Sequence, residues 1–190
     1  MILSRTSRRS PIPAGEFSGL VVTNHFPLLV TDTDPRLELC LLANFNSIAF
    51  DYVTRQKIGG VTLNFFIVEQ LPVFPPDRYT ERCPWNKKQT LEKWISDRVL
   101  KLSCTADDMR PLAEACEFDP PVHKWKPDER AELMAELDAA YFLLYGLDRD
   151  EVEYILSTFA GASTPDESTP SMFRSDSLIL TAYDRLSNRD

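Results

Sequence analysis

From Thr90 to Phe159 the apolar residues recur at three- and four-residue steps, a periodicity that commits this stretch to helix. Leu91, Trp94, Ile95, Val99 and Leu102 form one stripe, and Leu133, Leu137, Tyr141 and Leu144 form another. Val152, Ile155, Leu156 and Phe159 form a third. A helix with one apolar stripe must bury it against a neighbour, so this part of the chain is expected to be a packed helical body. The boundaries carry their own signals. Pro127 suits the first turn of a helix, Gly146 suits its end, and Asp148 is placed to cap the next one. In "TADDMRPLAEAC", Thr105 and Asp108 stand at capping-box spacing, with Asp where Glu or Gln is usual. A polar, flexible loop is expected over 160–176, and a last helix over 177–190, with "SDSLILTAYDRLS" (Ser175–Ser187) as its signal.

The chain before this body is more mixed. "GLVV" (Gly19–Val22) and "PLLV" (Pro27–Val30) read as two strands, and "TDTDP" then turns into a helix over 35–58. Leu37, Leu41, Phe45, Ile48 and Tyr52 would share one face of it, with Arg55 and Lys57 at its dipole-negative end. The chain has only six glycines, and two stand together at Gly59–Gly60. Gly59 is expected to close the helix in the left-handed conformation, and Gly60 to let the chain turn sharply into "VTLN". Asn64 could then cap a short helix over 65–70, after which "PVFPPDRY" leaves as an edge strand or a polyproline-like segment. The fold class expected is therefore α+β. A small mixed N-terminal portion over 1–76 precedes a mostly helical portion over 77–159, the loop and the final helix.

A formal net charge of −8 argues against a free-standing basic nucleic-acid binder, though not against a module that docks on DNA beside a basic partner. No apolar run approaches the roughly 20 residues needed to cross a bilayer. The opening "MILSRTSRRSPIPAGEF" lacks an apolar core, so a cytoplasmic protein without a membrane partner is expected. Cys40, Cys83, Cys104 and Cys116 are too scattered for a zinc knuckle, and His25 and His123 lie near none of them in sequence. Reduced, mostly buried thiols are expected, and no metal site.

"FDPPVHKW" (Phe118–Trp125) invites comparison with the Asn/Asp/Ser-Pro-Pro-aromatic motif of amino-group DNA methyltransferases, whose ring stacks on a flipped base. Val122 stands where that ring should be, and no pair of glycines has Gly-x-Gly spacing, so the stretch reads as a rigid loop before Pro127. With two histidines in the chain, no nucleophile constellation emerges. The run "ELMAELDAAYF" reads as a helix with a solvated acidic face. Phe45, Tyr52, Phe65 and Phe66 read as core. For Gly59–Asn64 the plain reading is a helix stop and a cap. The functional one adds a phosphate contact through exposed backbone N–H groups beside Arg55 and Lys57, with Gln56, Thr62 and Asn64 able to read base edges or fix the loop.

Residues 41–76, "LLANFNSIAFDYVTRQKIGGVTLNFFIVEQLPVFPP", resemble a segment of large adenine-specific DNA methyltransferases of type IIG-like restriction–modification enzymes and related phage-defence systems. The resemblance continues through "WISDRVLKLSCTADDM", "ERAELMAELDAAYFLLYGLDRDEVEYILSTF" and "RSDSLILTAYDRL", in the same order. It implies a position C-terminal to the catalytic domain, in or beside the target-recognition region. The cofactor, S-adenosylmethionine, would then belong to a catalytic domain outside this chain, and none is expected here. The family's tail continues from "ILSTF" into a basic segment, whereas "AGASTPDESTPSM" here is polar and partly acidic. The implied role is a target-recognition or scaffold fragment, not catalytic by itself. It would meet double-stranded DNA through a larger assembly, with a catalytic methyltransferase domain or subunit as partner. The candidate DNA-binding residues are Arg55, Gln56, Lys57, Gly59, Gly60, Thr62 and Asn64. Two other readings stand beside it: a helical interaction module that docks on the catalytic partner without touching DNA, and a decayed fragment.

Overall fold

The computed structural model describes residues 32–59, 63, 65–160 and 171–188, with backbone alone for Ala160 and 171–175. The expected strands at 19–22 and 27–30, together with Gly60, Thr62 and Asn64, lie outside the described residues. What is described is mostly helical with one small antiparallel sheet. In chain order the helices are α1 (Pro35–Asn46), α2 (Ile48–Lys57), α3 (Phe65–Val68), α4 (Pro76–Thr80), α5 (Leu91–Ser103), α6 (Arg110–Ala115), α7 (Pro127–Leu144), α8 (Arg149–Ala160) and α9 (Ser171–Ser187). Strands β1 (Arg82–Cys83) and β2 (Asn86–Thr90) stand between α4 and α5. The α+β class therefore holds only coarsely. The sheet lies within the stretch expected to be helical, not in the N-terminal portion.

Two compact units alternate along the chain. One gathers Val73–Leu133 with the described residues up to Phe45. Its centre is α5, begun by Thr90, whose hydroxyl accepts from the Lys93 N–H at 3.2 Å. Leu91, Trp94, Ile95 and Val99 are buried as the stripe requires. Arg82 pairs with Thr90 and Cys83 with Asn86. A two-stranded hairpin is marginal alone. Here Trp85, buried just beyond β1, meets Trp94 of α5 edge to face at 5.1 Å. From α1, Leu39, Cys40 and Ala43 are buried. Leu37, Leu41 and Phe45, the face expected to be core, are only half-buried. Asn44, fully buried, accepts from the Phe74 N–H at 3.3 Å and the Tyr79 hydroxyl at 3.4 Å.

Two local expectations are corrected in this unit. The segment after Phe74 does not leave as a strand: Pro75 is the N-cap and Pro76 the first residue of α4, where a missing N–H costs nothing. Thr105 is not the cap of α6, because a 3₁₀ turn over Asp107–Met109 intervenes and α6 begins at Arg110 without a side-chain cap. That helix ends on Glu117 at φ 51°, with Phe118 N–H bonding Ala113 C=O and Glu117 N–H bonding Glu114 C=O. The pattern is a Schellman closure in which glutamate holds the position glycine usually fills.

The other unit gathers Asn46–Pro72 and the chain from Met134. The single helix expected over 35–58 is two. Ser47 at ψ 147° interrupts it and caps α2, its hydroxyl accepting from the Phe50 N–H at 3.3 Å. Asp138, buried in α7, accepts the Ile48 N–H at 2.9 Å. Two of the free N–H groups at the start of α2 are thereby satisfied. Of the α7 stripe, Leu137 is buried here and Tyr141 fully so, while Leu144 is half-buried; Leu133, also buried, belongs to the Val73–Leu133 unit. Gly146 ends α7 at φ 74° as expected, with Leu147 N–H on Phe142 C=O and Gly146 N–H on Leu143 C=O. Asp148 caps α8 as expected and does so reciprocally: its carboxylate accepts the Glu151 N–H, and Glu151 accepts the Asp148 N–H, both at 2.9 Å. Val152, Ile155, Leu156 and Phe159 are buried. The last helix begins at Ser171, earlier than the expected 177, and buries Ile179, Ala182, Tyr183 and Leu186. Among the described residues no helix is long and apolar enough to cross a membrane.

Candidate nucleic-acid and docking surface

The residues around the glycine doublet sit at the C-terminal end of α2. Lys57 is its last residue, and Ile58 caps it in extended conformation at φ −89°, ψ 118°, its N–H bonded to Thr54 C=O at 3.2 Å. Gly59 is exposed, has open space where a side chain would project, and is not in the left-handed region. The expectation of a left-handed stop at Gly59 is therefore corrected. An extended Ile58, which a β-branched residue adopts readily, breaks the helix one residue earlier. The end of a helix presents carbonyl oxygens, so the backbone at Lys57–Gly59 favours cations and not phosphate.

Arg55, Gln56 and Lys57 divide by exposure. Gln56 and Lys57 are exposed, and Lys57 makes no ion pair among the described residues. Arg55 is half-buried. Its guanidinium pairs with Asp51 one turn earlier, at 3.1 Å from Nε and 3.0 Å from Nη2, and its Cζ lies 4.4 Å from the centre of the Phe159 ring. Asp51 is itself buried. Arg55 thus ties α2 to α8, with its Nε and Nη2 donors committed to Asp51 inside the unit.

Phe65 and Phe66, expected in the core, are 65% and 61% exposed. They stand on α3, a single turn whose Ile67 and Val68 are half-buried. Phe45 and Tyr52 are half-buried. The sequence signal for this was present in a weak form, since a four-residue helix with four consecutive apolar residues cannot turn all of them inward.

The four cysteines are buried and carry thiols, not disulfides. Burial pushes the thiols of Cys40, Cys83 and Cys104 up, and that of Cys116 up to about 11, so each packs as a small hydrophobe and not as a thiolate. Among the described residues, no group of three or more His, Cys, Asp or Glu side chains is placed to hold a metal ion. In "FDPPVHKW", Val122 is half-buried, whereas Trp125 is 59% exposed. Compared with protein-family models, with curated proteins and with solved structures, the chain matches none.

Proposed function

We propose that this chain is a non-catalytic docking module for an adenine-specific DNA methyltransferase of a restriction–modification or phage-defence system. The observation that carries the reading is the exposed pair Phe65–Phe66, within the segment that most resembles those enzymes. Large rings left in water at adjacent positions are suited to a partner's apolar pocket, because aromatic anchors dominate interface energetics. The engagement of Arg55 with Asp51 and Phe159 supports docking over DNA reading, since the residue best placed for phosphate by sequence is in use elsewhere. Target recognition stays as the second reading, favoured by Lys57 and Gln56, both exposed beside Gly59. S-adenosylmethionine and the methyl transfer would belong to the partner.

The test mixes the chain with the catalytic domain of the methyltransferase from the same source and follows association by analytical ultracentrifugation without DNA. Association should occur, and Phe65→Asp with Phe66→Asp should weaken it at least about tenfold, as expected for loss of an anchor worth about 1.4 kcal/mol or more. Equal association by the folded double variant, or assembly only when DNA is added, would defeat the docking reading. In the latter case Lys57→Ala should reduce the salt dependence of assembly, by roughly one unit of slope for one lost phosphate contact.

A further inference from the structure

The loop before α7 carries an aromatic–basic arrangement that the docking reading does not use. Of the three tryptophans, Trp85 and Trp94 are buried at 6% and 3% exposure, whereas Trp125 stands 59% exposed. One face of its ring is covered: the Arg130 guanidinium carbon lies 3.7 Å from the ring centre. Arg130 is held there because its Nη1 donates to the Leu102 carbonyl at 2.6 Å, at the end of α5. The loop is tied to the same place by the His123 N–H, which donates to the Cys104 carbonyl at 2.6 Å. The indole is therefore backed by a fixed cation and offers its opposite face to solvent. On either side stand Lys124 and Lys126, both exposed. Lys126 is engaged by Glu129 at 3.1 Å, and Glu129 also meets His123 at 3.2 Å. Lys124 makes no ion pair among the described residues.

We infer that the open face of Trp125 is a stacking site for an unpaired nucleobase of single-stranded nucleic acid, with Lys124 meeting the adjoining phosphate. A base within a duplex has both faces occupied by its neighbours, so only an unstacked base can offer one to the indole. The guanidinium draws electron density from the ring it covers, which favours a polarisable π-system on the far side. Lys124 supplies the charge that a nucleotide uses and that a proline-rich peptide would not. One ring and one free ammonium in a chain of net charge −8 make a weak, sequence-tolerant site, with a dissociation constant of about 1–100 µM.

The experiment uses the full chain and a fluorescently labelled oligothymidylate, read by anisotropy across a salt series, with Trp125 emission followed in parallel. The oligonucleotide should bind and quench the exposed tryptophan. Trp125→Ala should weaken binding roughly ten- to hundredfold, the range expected for one lost base–aromatic stack. Trp125→Phe should recover part of the loss, and Lys124→Ala should lower the salt slope by about 0.7. Thermal melts of Lys124→Ala should match the parent, and those of Trp125→Ala and Trp125→Phe should stay cooperative and within about 4 °C of it, since the Arg130 stack is what they lose. Any of three results would overturn the inference: undiminished binding by folded Trp125→Ala, equal affinity for a duplex of the same length, or quenching of Trp125 by a proline-rich peptide but not by the oligonucleotide. These outcomes are independent of the docking test, which reads Phe65 and Phe66.

Discussion

Arg36 joins several elements of the Val73–Leu133 unit through its hydrogen bonds, and its removal should cost that unit stability. From α1 its guanidinium donates through Nη1 to Ser96 Oγ at 2.7 Å and Asp97 Oδ1 at 2.8 Å, and through Nη2 to the Cys116 carbonyl. One side chain thereby joins the start of α1 to the middle of α5 and the end of α6. Its side chain is 16% exposed and that of Asp97 28%, so the pair is largely but not wholly removed from water. Breaking a fully buried pair by deleting one partner costs about 3–5 kcal/mol. Here Asp97 keeps Lys93 at 3.2 Å and some access to solvent, which lowers the figure. Wholly buried Ser96 and the Cys116 carbonyl lose their donor, which raises it again. Arg36→Ala should therefore cost about 2–4 kcal/mol, or roughly 4–16 °C in melting temperature for a chain of this size. Arg36→Lys should fall between, because an ammonium can hold Asp97 but cannot span three acceptors with a rigid fork. Burial alone would pull this guanidinium down in pKa. The hydrogen bond and charge of Asp97 offset that and leave it above its ordinary value, so the guanidinium's own titration removes none of this contribution at neutral pH. All three tryptophans lie in this unit, so unfolding followed by tryptophan emission reads the clamp directly. A loss below about 1 kcal/mol for Arg36→Ala, or none for Arg36→Lys, would refute the reasoning.

Three backbone positions make a matched set for thermal melts. Gly146→Ala, at φ 74°, should cost about 1–2 kcal/mol, and Glu117→Gly, at φ 51°, should gain a similar amount or less. Gly59→Ala should be neutral or slightly stabilising, because the site is open and not left-handed. Equal losses at Gly59 and Gly146 would contradict the assignment. Asp148→Ala should cost about 0.5–2 kcal/mol by removing one half of the capping box of α8, measured by chemical denaturation. Burial, and then the neighbouring Asp34, raise the Glu92 carboxyl above its usual range, partly offset by Arg36 and Lys93. The folded state thus holds that proton more tightly than the unfolded one, and stability falls as pH rises through this window. Glu92→Gln should therefore melt higher than the parent at pH 7, and the gain should vanish below the ordinary carboxylate range. A gain of equal size at both pH values would point to some other cause.

Where the sequence was legible, the signal was local and redundant. The α5 and α8 stripes, Gly146 and Asp148 each rest on periodicity plus a boundary residue, and both speak for the same helix. The first helix failed because its apolar spacing ran straight through Ser47. An extended serine there resets the helical phase, so the buried face of α1 became Leu39, Cys40 and Ala43. The turn at Glu117 carried no residue signature at all, since its conformation is imposed by the closing hydrogen bonds to Ala113 and Glu114. At the candidate surface, the sequence put Arg55, Gln56 and Lys57 side by side. It could not show that Asp51 and Phe159, one of them more than a hundred positions away, take up the arginine. It likewise passed over Trp125, because the comparison that drew attention to "FDPPVHKW" looked for a ring at Val122.

The division of the basic residues decides where an acidic chain can still meet an anion. Every arginine whose side chain is described is engaged within the chain. Arg36, Arg55, Arg78, Arg110, Arg149 and Arg185 meet carboxylates, Arg82 donates to the Lys87 carbonyl, and Arg98 and Arg130 lie over Trp94 and Trp125 while donating to carbonyls. The lysines are used differently. Lys93 and Lys126 pair with Asp97 and Glu129, but Lys57, Lys87, Lys88 and Lys124 are exposed and make no ion pair among the described residues. A planar fork with five donors suits the joining of elements, whereas a hydrated ammonium on a flexible stem loses little by staying in water until a phosphate arrives. Arg→Lys changes should therefore lower the melting temperature and leave the salt dependence of nucleic-acid binding unchanged. Lys→Ala changes at the four exposed positions should do the reverse. If the salt slope followed the arginines instead, the internal pairs seen here would have to open in the bound state, and the separation of structural from anion-binding cations would not hold.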